Sequence, residues 1–299
     1  MDEIIQLDSI KAYNELYGLQ TLHPLVAVVD LTKARRMANH VRMNYGIYAL
    51  FLKNGVDCTL KYGRQTYDYQ EGTVTSFAPG QLIGVEMKED VVKPRVLGLL
   101  FHPDLFYGTA LGNKINRYTF FDYAQNEALH LSGQERGIFV DSLNKIEYEL
   151  NHPVDRHSRE LLCVQIELVL DYCLRFYDRQ FYTRSKVNSD VLQQFEQTLN
   201  NYFKGDDARR QGLPSVRYFA DKACLSPNYF GDLIKKETGK TAQEYIQLKI
   251  IDLSKQYLLG TNHTINQIAD LLGFQYPQHF IRMFKKQTGC TPKEFRVAN

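Results

Sequence analysis

The feature that most constrains this chain is a repeat in its last hundred residues. IKKETGKTAQEYI at 234–246 recurs as FKKQTGCTPKEFR at 284–296. Lys-Lys, Thr-Gly, Thr and Glu stay in register at an offset of 50, and Tyr245 is matched by Phe295. Upstream, Phe230 matches Phe280, Ala220 matches Ala269 and Leu225 matches Phe274. Two copies of one supersecondary unit are present.

Each copy predicts helix, tight turn, helix. In the second, Ile265, Ile268 and Leu272 recur at helical spacing and Gly273 supplies a stop. Its next helix begins around Tyr276-Pro277, runs to Thr288 before Gly289, and presents Phe280, Met283 and Phe284 as an apolar face. In the first copy SVRYFADKA is the leading helix. Ser226 then caps a helix with Pro227 at its first position, ending before Gly239. Two helices joined by so short a turn are the helix-turn-helix pattern, whose second helix enters the major groove of DNA. An ordinary antiparallel helix pair is the alternative; the same Lys-Lys on the same helix end of both copies argues against it. The connector 241–260 is a strong helical run ending at glycine. Its roughly 18 helical residues span about 27 Å. Successive major-groove faces lie about 34 Å apart, so such a helix can set two recognition helices one DNA turn from each other.

Charge is divided accordingly. Residues 1–184 hold 20 Lys/Arg against 23 Asp/Glu, whereas residues 185–299 hold 16 against 11. A basic C-terminal portion suits a polyanionic partner. The five cysteines are an odd set without a CxxC pair, which disfavours a disulfide scaffold or zinc site and suits a reducing cytosol. No apolar run approaches the ~18 residues of a membrane span, and the acidic start lacks a signal-peptide core. We therefore expect a cytoplasmic protein with no membrane partner. No nucleophile motif, phosphate loop or metal cluster stands out, so neither an enzyme, a cofactor nor a metal is expected.

The segment 188–299 resembles the DNA-binding domain of the AraC/XylS family, two helix-turn-helix units bridged by a long helix. The second unit carries Ile268-Ala269, Leu272-Gly273-Phe274, Phe280, Phe284-Lys285-Lys286, Gly289, Pro292 and Phe295-Arg296. The first is looser: Ala220, Ser226, Tyr229-Phe230, Leu233, Lys235-Lys236 and Gly239. Lys249 and Ser254 stand where the linker helix often has arginine and alanine. The resemblance implies base contacts at Gln278 and Arg282. Chemically, glutamine forms two hydrogen bonds to adenine and arginine two to guanine. Lys285 and Lys286 are expected to neutralise phosphate. On the first recognition helix the family positions fall on Asn228, Gly231, Asp232 and Lys235. Asn228 and Asp232 are expected to read bases while Lys235 and Lys236 grip the backbone. His279 is expected to face solvent or the DNA backbone.

From about 22 to 110 the texture is β. Short alternating runs are cut by turn signals at Asn54-Gly55, Gly63, Glu71-Gly72 and Pro79-Gly80, which suggests an all-β barrel or sandwich. The stretch around Tyr69, Gly72, Phe77 and Pro79-Gly80 is similar to the cupin-type barrel that many AraC-like regulators use as an effector sensor, with Bacteroidetes-type regulators nearest in texture. His23, His40, His102 and His130 form no HxH pair, which disfavours a cupin metal site. Glu86 and Glu89 read as surface charge rather than a catalytic dyad. Tyr45, Tyr48, Tyr62, Tyr67 and Tyr69 are candidates to line a pocket, or else cross-strand packing. Residues 132–182 return to helix. Phe139, Leu143, Ile146 and Leu150 form a stripe, and the run 159–182 is apolar nearly all round, so burial on two sides is expected, with a dimer interface favoured.

The expected fold class is α+β: a cupin-like β-barrel over 1–131, a helical dimerisation segment over 132–184, and an all-α domain with two helix-turn-helix units over 185–299. The expected function is sequence-specific transcription regulation, controlled by a small-molecule effector in the barrel. The expected partners are double-stranded DNA, RNA polymerase and a second copy of the chain. Two alternatives remain: a cupin-type enzyme or metabolite-binding protein with an accessory DNA-binding tail, or a ligand-independent regulator whose barrel only dimerises or binds a protein.

Overall fold

A computed structural model describes residues 4–38, 41–53, 60–62, 65–67, 72–85, 95–124 and 127–298. The chain forms two compact units, Met1–Thr183 and Arg184–Asn299.

The first unit opens with β1 (Ile4–Leu7) and α1 (Ile10–Tyr17). Ser9 caps α1 by accepting from the Ala12 N–H at 3.1 Å, and Gly18, in the left-handed conformation, ends it. Strands follow: β2 (Val26–Asp30), β3 (Val41–Tyr45), β4 (Tyr48–Lys53), β5 (Leu60–Tyr62), β6 (Gln65–Tyr67), β7 (Thr73–Phe77), β8 (Leu82–Val85) and β9 (Val96–Phe101). After the short α2 (Ala110–Lys114) come β10 (Leu129–His130), α3 (Gly133–Leu150) and α4 (Ser158–Thr183).

An antiparallel sheet runs in the order β10-β7-β4-β9-β2; a second, β1-β3-β8, pairs β1 with β3 in parallel. β4 lies at the centre of the larger sheet, which explains its run of four buried residues from Ala49 to Leu52. The chain crosses between the two sheets repeatedly, and two of the crossings are tight. It passes from β3 to β4 through Gly46-Ile47, and from β7 to β8 through Pro79-Gly80. There the Gly80 N–H donates to the Tyr45 carbonyl at 2.6 Å. Side chains of both sheets and of α1 share one core, including Leu7, Tyr13, Tyr17, Met43, Tyr45, Phe51 and Phe77. Phe51 lies so close over Gly98 that a Cβ there would sit 2.6 Å from the ring. Among the described strands the two sheets and the β5–β6 hairpin remain separate, and no closed barrel is formed.

α3 begins with a reciprocal capping box between Ser132 and Glu135 and buries Phe139, Leu143, Ile146 and Leu150, the stripe legible in the sequence. α4 packs against α3 and β10. Its Gln180 serves two backbone groups, accepting from the His130 N–H at 2.8 Å and donating to the Ala128 carbonyl at 3.2 Å. One side of α4 is core: Leu162, Ile166, Val169, Leu170, Cys173 and Phe176 are buried. On its other side Leu161, Val164 and Leu168 face solvent, Val164 being 60% exposed. The chain by itself thus covers one of the two apolar sides.

The second unit is entirely helical: α5 (Ser185–Lys204), α6 (Asp207–Gln211), α7 (Val216–Lys222), α8 (Pro227–Thr238), α9 (Ala242–Gly260), α10 (Ile265–Leu271), α11 (Pro277–Thr288) and α12 (Pro292–Ala298). Two aromatic clusters centre its halves. Phe195 lies 4.9 Å from Phe219, 5.3 Å from Phe230 and 5.4 Å from Tyr245, centroid to centroid. Phe280 stands 5.4 Å from Phe274 and 5.9 Å from Phe284, which in turn meets Phe295 at 5.5 Å. The paired positions Phe230/Phe280 and Tyr245/Phe295 are those the repeat aligns. Ser254 is fully buried on α9 and donates to the Ile250 carbonyl at 2.6 Å, so serine replaces alanine there without stranding a hydroxyl. Arg296 donates to the carbonyls of Leu258 and His263 at 2.9 and 2.8 Å, satisfying an end group of α9 and fixing α12 to it.

Candidate nucleic-acid interface

α8 and α11 are built alike. Ser226 accepts from the Tyr229 N–H at 3.3 Å and Pro227 takes the first helical position of α8. α11 also starts with proline, behind Tyr276, and has no side-chain cap. Both helices end at a left-handed glycine, Gly239 and Gly289. At both ends a threonine bridges the turn. Thr238 donates to Ile234 at 2.8 Å with Lys240 O at 3.1 Å, and Thr288 to Phe284 at 2.8 Å with Cys290 O at 3.1 Å.

The buried faces are Tyr229, Phe230, Leu233 and Ile234 on α8, and Phe280 and Phe284 on α11. Helical geometry turns the intervening positions outward. Gln278, His279, Arg282, Lys285 and Lys286 are all exposed on α11. On α8 Asn228, Lys235 and Lys236 are exposed and Asp232 is half-buried. The eight residues singled out from the sequence therefore fall into two groups of four, one on the solvent side of each second helix. Each helix packs with α9: α8 directly, and α11 through a hydrogen bond from Gln287 to Gln247 at 3.4 Å.

Three features escaped the sequence reading. Glu244 and Glu294 form capping boxes with Thr241 and Thr291, and those hydrogen bonds hold both carboxyls below the usual 4.5, with Lys235 and Lys285 contributing respectively. The first lysine of each Lys-Lys pair thus has a carboxylate in its neighbourhood. Thr-x-x-Glu at the repeat offset was the available signal. Second, Tyr276 is 52% exposed at the entry to α11, and its ring meets His279 edge-on at 5.6 Å. Third, the turn of the first unit places Cys224 at φ 56, while the aligned Gly273 of the second has φ 86.

Among the described residues no three His, Cys, Asp or Glu side chains gather as a metal-holding group. His40, Glu86, Glu89 and Tyr69 lie outside the described residues, as do the side chains of Tyr62 and Tyr67. His130 is buried beside Thr73, their side chains 3.3 Å apart, and His102 accepts from the Asp104 N–H. Tyr48 stacks on Phe101 at 5.1 Å. Tyr45 is core, and burial pushes its hydroxyl pKa well above the usual 10; burial raises that of Tyr17 to about 12. A cavity lined by Thr75, Ser76, Phe77, Tyr123, Ala124, Ala128 and Tyr177 measures about 10 Å³, room for one water.

Two capped helix pairs, duplicated around a rigid connector and exposing polar and cationic side chains on both second helices, define a double helix-turn-helix domain. A family model described as a helix-turn-helix domain matches residues 219–298. The TetD protein of transposon Tn10 from Escherichia coli is 34% identical over 123 residues, 41% of this chain and 80% of that protein. The bifunctional transcriptional activator/DNA repair enzyme AdaA of Bacillus subtilis is 42% identical over 82 residues, 27% of this chain and 39% of AdaA. The chain spans only 21% of the length of YesN, a transcriptional regulatory protein of B. subtilis. The solved C-terminal domain of a YesN response regulator from Fusobacterium nucleatum covers 36% of this chain and 98% of that one, at 25% identity and a TM-score of 0.32. The chain belongs to the AraC/XylS family of helix-turn-helix proteins.

Proposed function

We propose that this protein is a sequence-specific, double-stranded DNA-binding transcription regulator. The observation that carries this reading is the duplicated recognition helix. α8 and α11 share a first-turn proline, a left-handed terminal glycine, a buried phenylalanine at the aligned position and the terminal threonine hydrogen bonds, and both turn a reading pair and a lysine pair outward. Asn228 with Asp232, and Gln278 with Arg282, read base edges; Lys235, Lys236, Lys285 and Lys286 neutralise phosphates. Arg282, Gln278 and Lys286 make no hydrogen bond or ion pair among the described residues, so DNA displaces no protein partner to engage them. YesN is a regulator and AdaA a transcriptional activator by name, and the DNA repair enzyme AdaA is matched over only 39% of its length; this supports a non-catalytic protein that works with RNA polymerase in the cytoplasm.

Dimerisation belongs to the same proposal. Leu161, Val164 and Leu168 lie at i, i+3 and i+7 on the outer side of α4, a narrow apolar seam of the kind two helices bury together. A cupin-like sensor of the Bacteroidetes type remains the reading of the first unit by resemblance. Within it, one observation favours the ligand-independent alternative over small-molecule control. The space between the described sheets is filled by Tyr13, Tyr17, Tyr45, Phe51 and Phe77.

Repeated selection of random duplexes by the full-length chain tests the function. A recovered consensus that survives excess unselected competitor is expected. Recovery of unrelated sequences, or of none at low salt, contradicts it.

A further inference from the structure

The two recognition helices share a scaffold and differ in charge. The repeat places Asp232 of α8 where α11 has Arg282, and Glu237 where α11 has Gln287. α8 therefore carries Lys235 and Lys236 against Asp232 and Glu237, while α11 carries Arg282, Lys285 and Lys286 with no acid between Pro277 and Thr288. The helix ends and the capping boxes do not account for this difference. Both helices end on the same Thr–Gly hydrogen bonds, and both have a capping-box glutamate beside the first lysine. Glu237 accepts from Asn188 at 3.3 Å, which gives it a partner within the domain. Asp232 stands four residues after Asn228, in the register that Arg282 and Gln278 occupy on α11.

A carboxylate on a helix facing DNA repels phosphate wherever the helix rests. In the major groove only an exocyclic amine rewards it: cytosine N4 donates to an aspartate, and the adenine N6 amine is the other donor. Phosphates are present in every register, whereas the amine is present in few. We infer that Asp232 is a specificity-determining residue that acts largely by exclusion: it weakens the hold of α8 on DNA in general and lets that helix seat where a cytosine or adenine amine meets it. α11, with three cations and no acid, supplies the general anchorage. The two units are thus unequal, one gripping and one discriminating, and the operator halves they face differ: guanine opposite Arg282, an amine-bearing base opposite Asp232. This rests on the regulator reading above.

The test uses full-length protein and Asp232→Asn and Asp232→Ala variants, with melting curves to establish that each folds. Binding is measured on the selected site, on single-base variants across the block facing α8, and on random duplex at several salt concentrations. Both variants are expected to bind random duplex more tightly than wild type. The ratio of specific to random affinity falls by roughly 5- to 150-fold, and at one position base preference disappears in Asp232→Ala and changes in Asp232→Asn, whose amide oxygen still accepts from an amine. Weaker binding to every sequence, no change in either quantity, or a gain equal on specific and random DNA each overturns the proposal. Asp232→Asn keeps the shape of the side chain, so a failure of Asp232→Ala to fold leaves the measurement intact. If wild-type protein selects no sequence at all, the regulator reading falls with it; a wild type that selects normally while the variants match it sinks only the role of Asp232.

Discussion

Arg282 and Lys285 lie less than one helical turn apart, and both are exposed. Their environments separate them. Arg282 has no ionic partner among the described residues, whereas Lys285 lies near Glu294, whose carboxyl it helps to keep ionised. If Arg282 donates two hydrogen bonds to guanine, Arg282→Ala costs roughly 1–3 kcal/mol on the specific site and relaxes preference at one base. Lys285→Ala should weaken all sequences about equally and lower the log–log salt slope by about one. Titration on specific and random duplexes separates the two outcomes. A base-specific effect of Lys285→Ala, with a uniform one for Arg282→Ala, inverts their roles. That both side chains are exposed was legible in the sequence, because Phe280 and Phe284 mark the buried face. The carboxylate beside Lys285 was not: it comes from the next helix, and the capping box that fixes it depends on how the chain turns after Gly289.

At the scale of elements, the turns differ where the helices agree. Gly273 needs its positive φ, and a Cβ there would lie 2.6 Å from the Ala208 carbonyl oxygen. Cys224 adopts a similar backbone without glycine's freedom, at a cost of order 1 kcal/mol. Cys224→Gly is therefore expected to stabilise the domain by up to about 1 kcal/mol, offset in part by the greater chain entropy of glycine. Gly273→Ala is expected to destabilise it by more than that, through both strain and the clash. Urea denaturation reads both; stabilisation by Gly273→Ala would mean that the turn is not as described. The helices of this unit were readable because their caps, glycines and apolar spacing are local. The left-handed cysteine was not, since its residue type gives no sign of it and only its alignment with Gly273 does. In the first unit turn signals announced strands, but not that β1 would pair in parallel with β3 or that two sheets would share one core. Those are choices among distant partners.

For the whole molecule, α4 shows how far composition can mislead. Its run of apolar residues calls for burial on two sides, and residue type alone cannot assign the sides. Leu170 is fully buried and Leu168 is 44% exposed. Leu170→Glu places a charge in the core and should prevent folding, at several kcal/mol. Leu168→Glu should leave a folded chain that sediments as a monomer where wild type is a dimer. A monomeric wild type, or an Leu168→Glu variant that still dimerises, removes α4 from the interface.

Two recognition helices held by one connector of 19 residues are the central element of the proposed regulator. Hydroxyl-radical footprinting of the full-length protein on its selected site tests this most directly. Two protected blocks on one face of the duplex, about 10 base pairs apart, are expected for each double helix-turn-helix domain. Arg282→Ala should weaken one block and Asp232→Asn should alter the other. A single block insensitive to changes on α8, or protection spread evenly along any duplex, would contradict it.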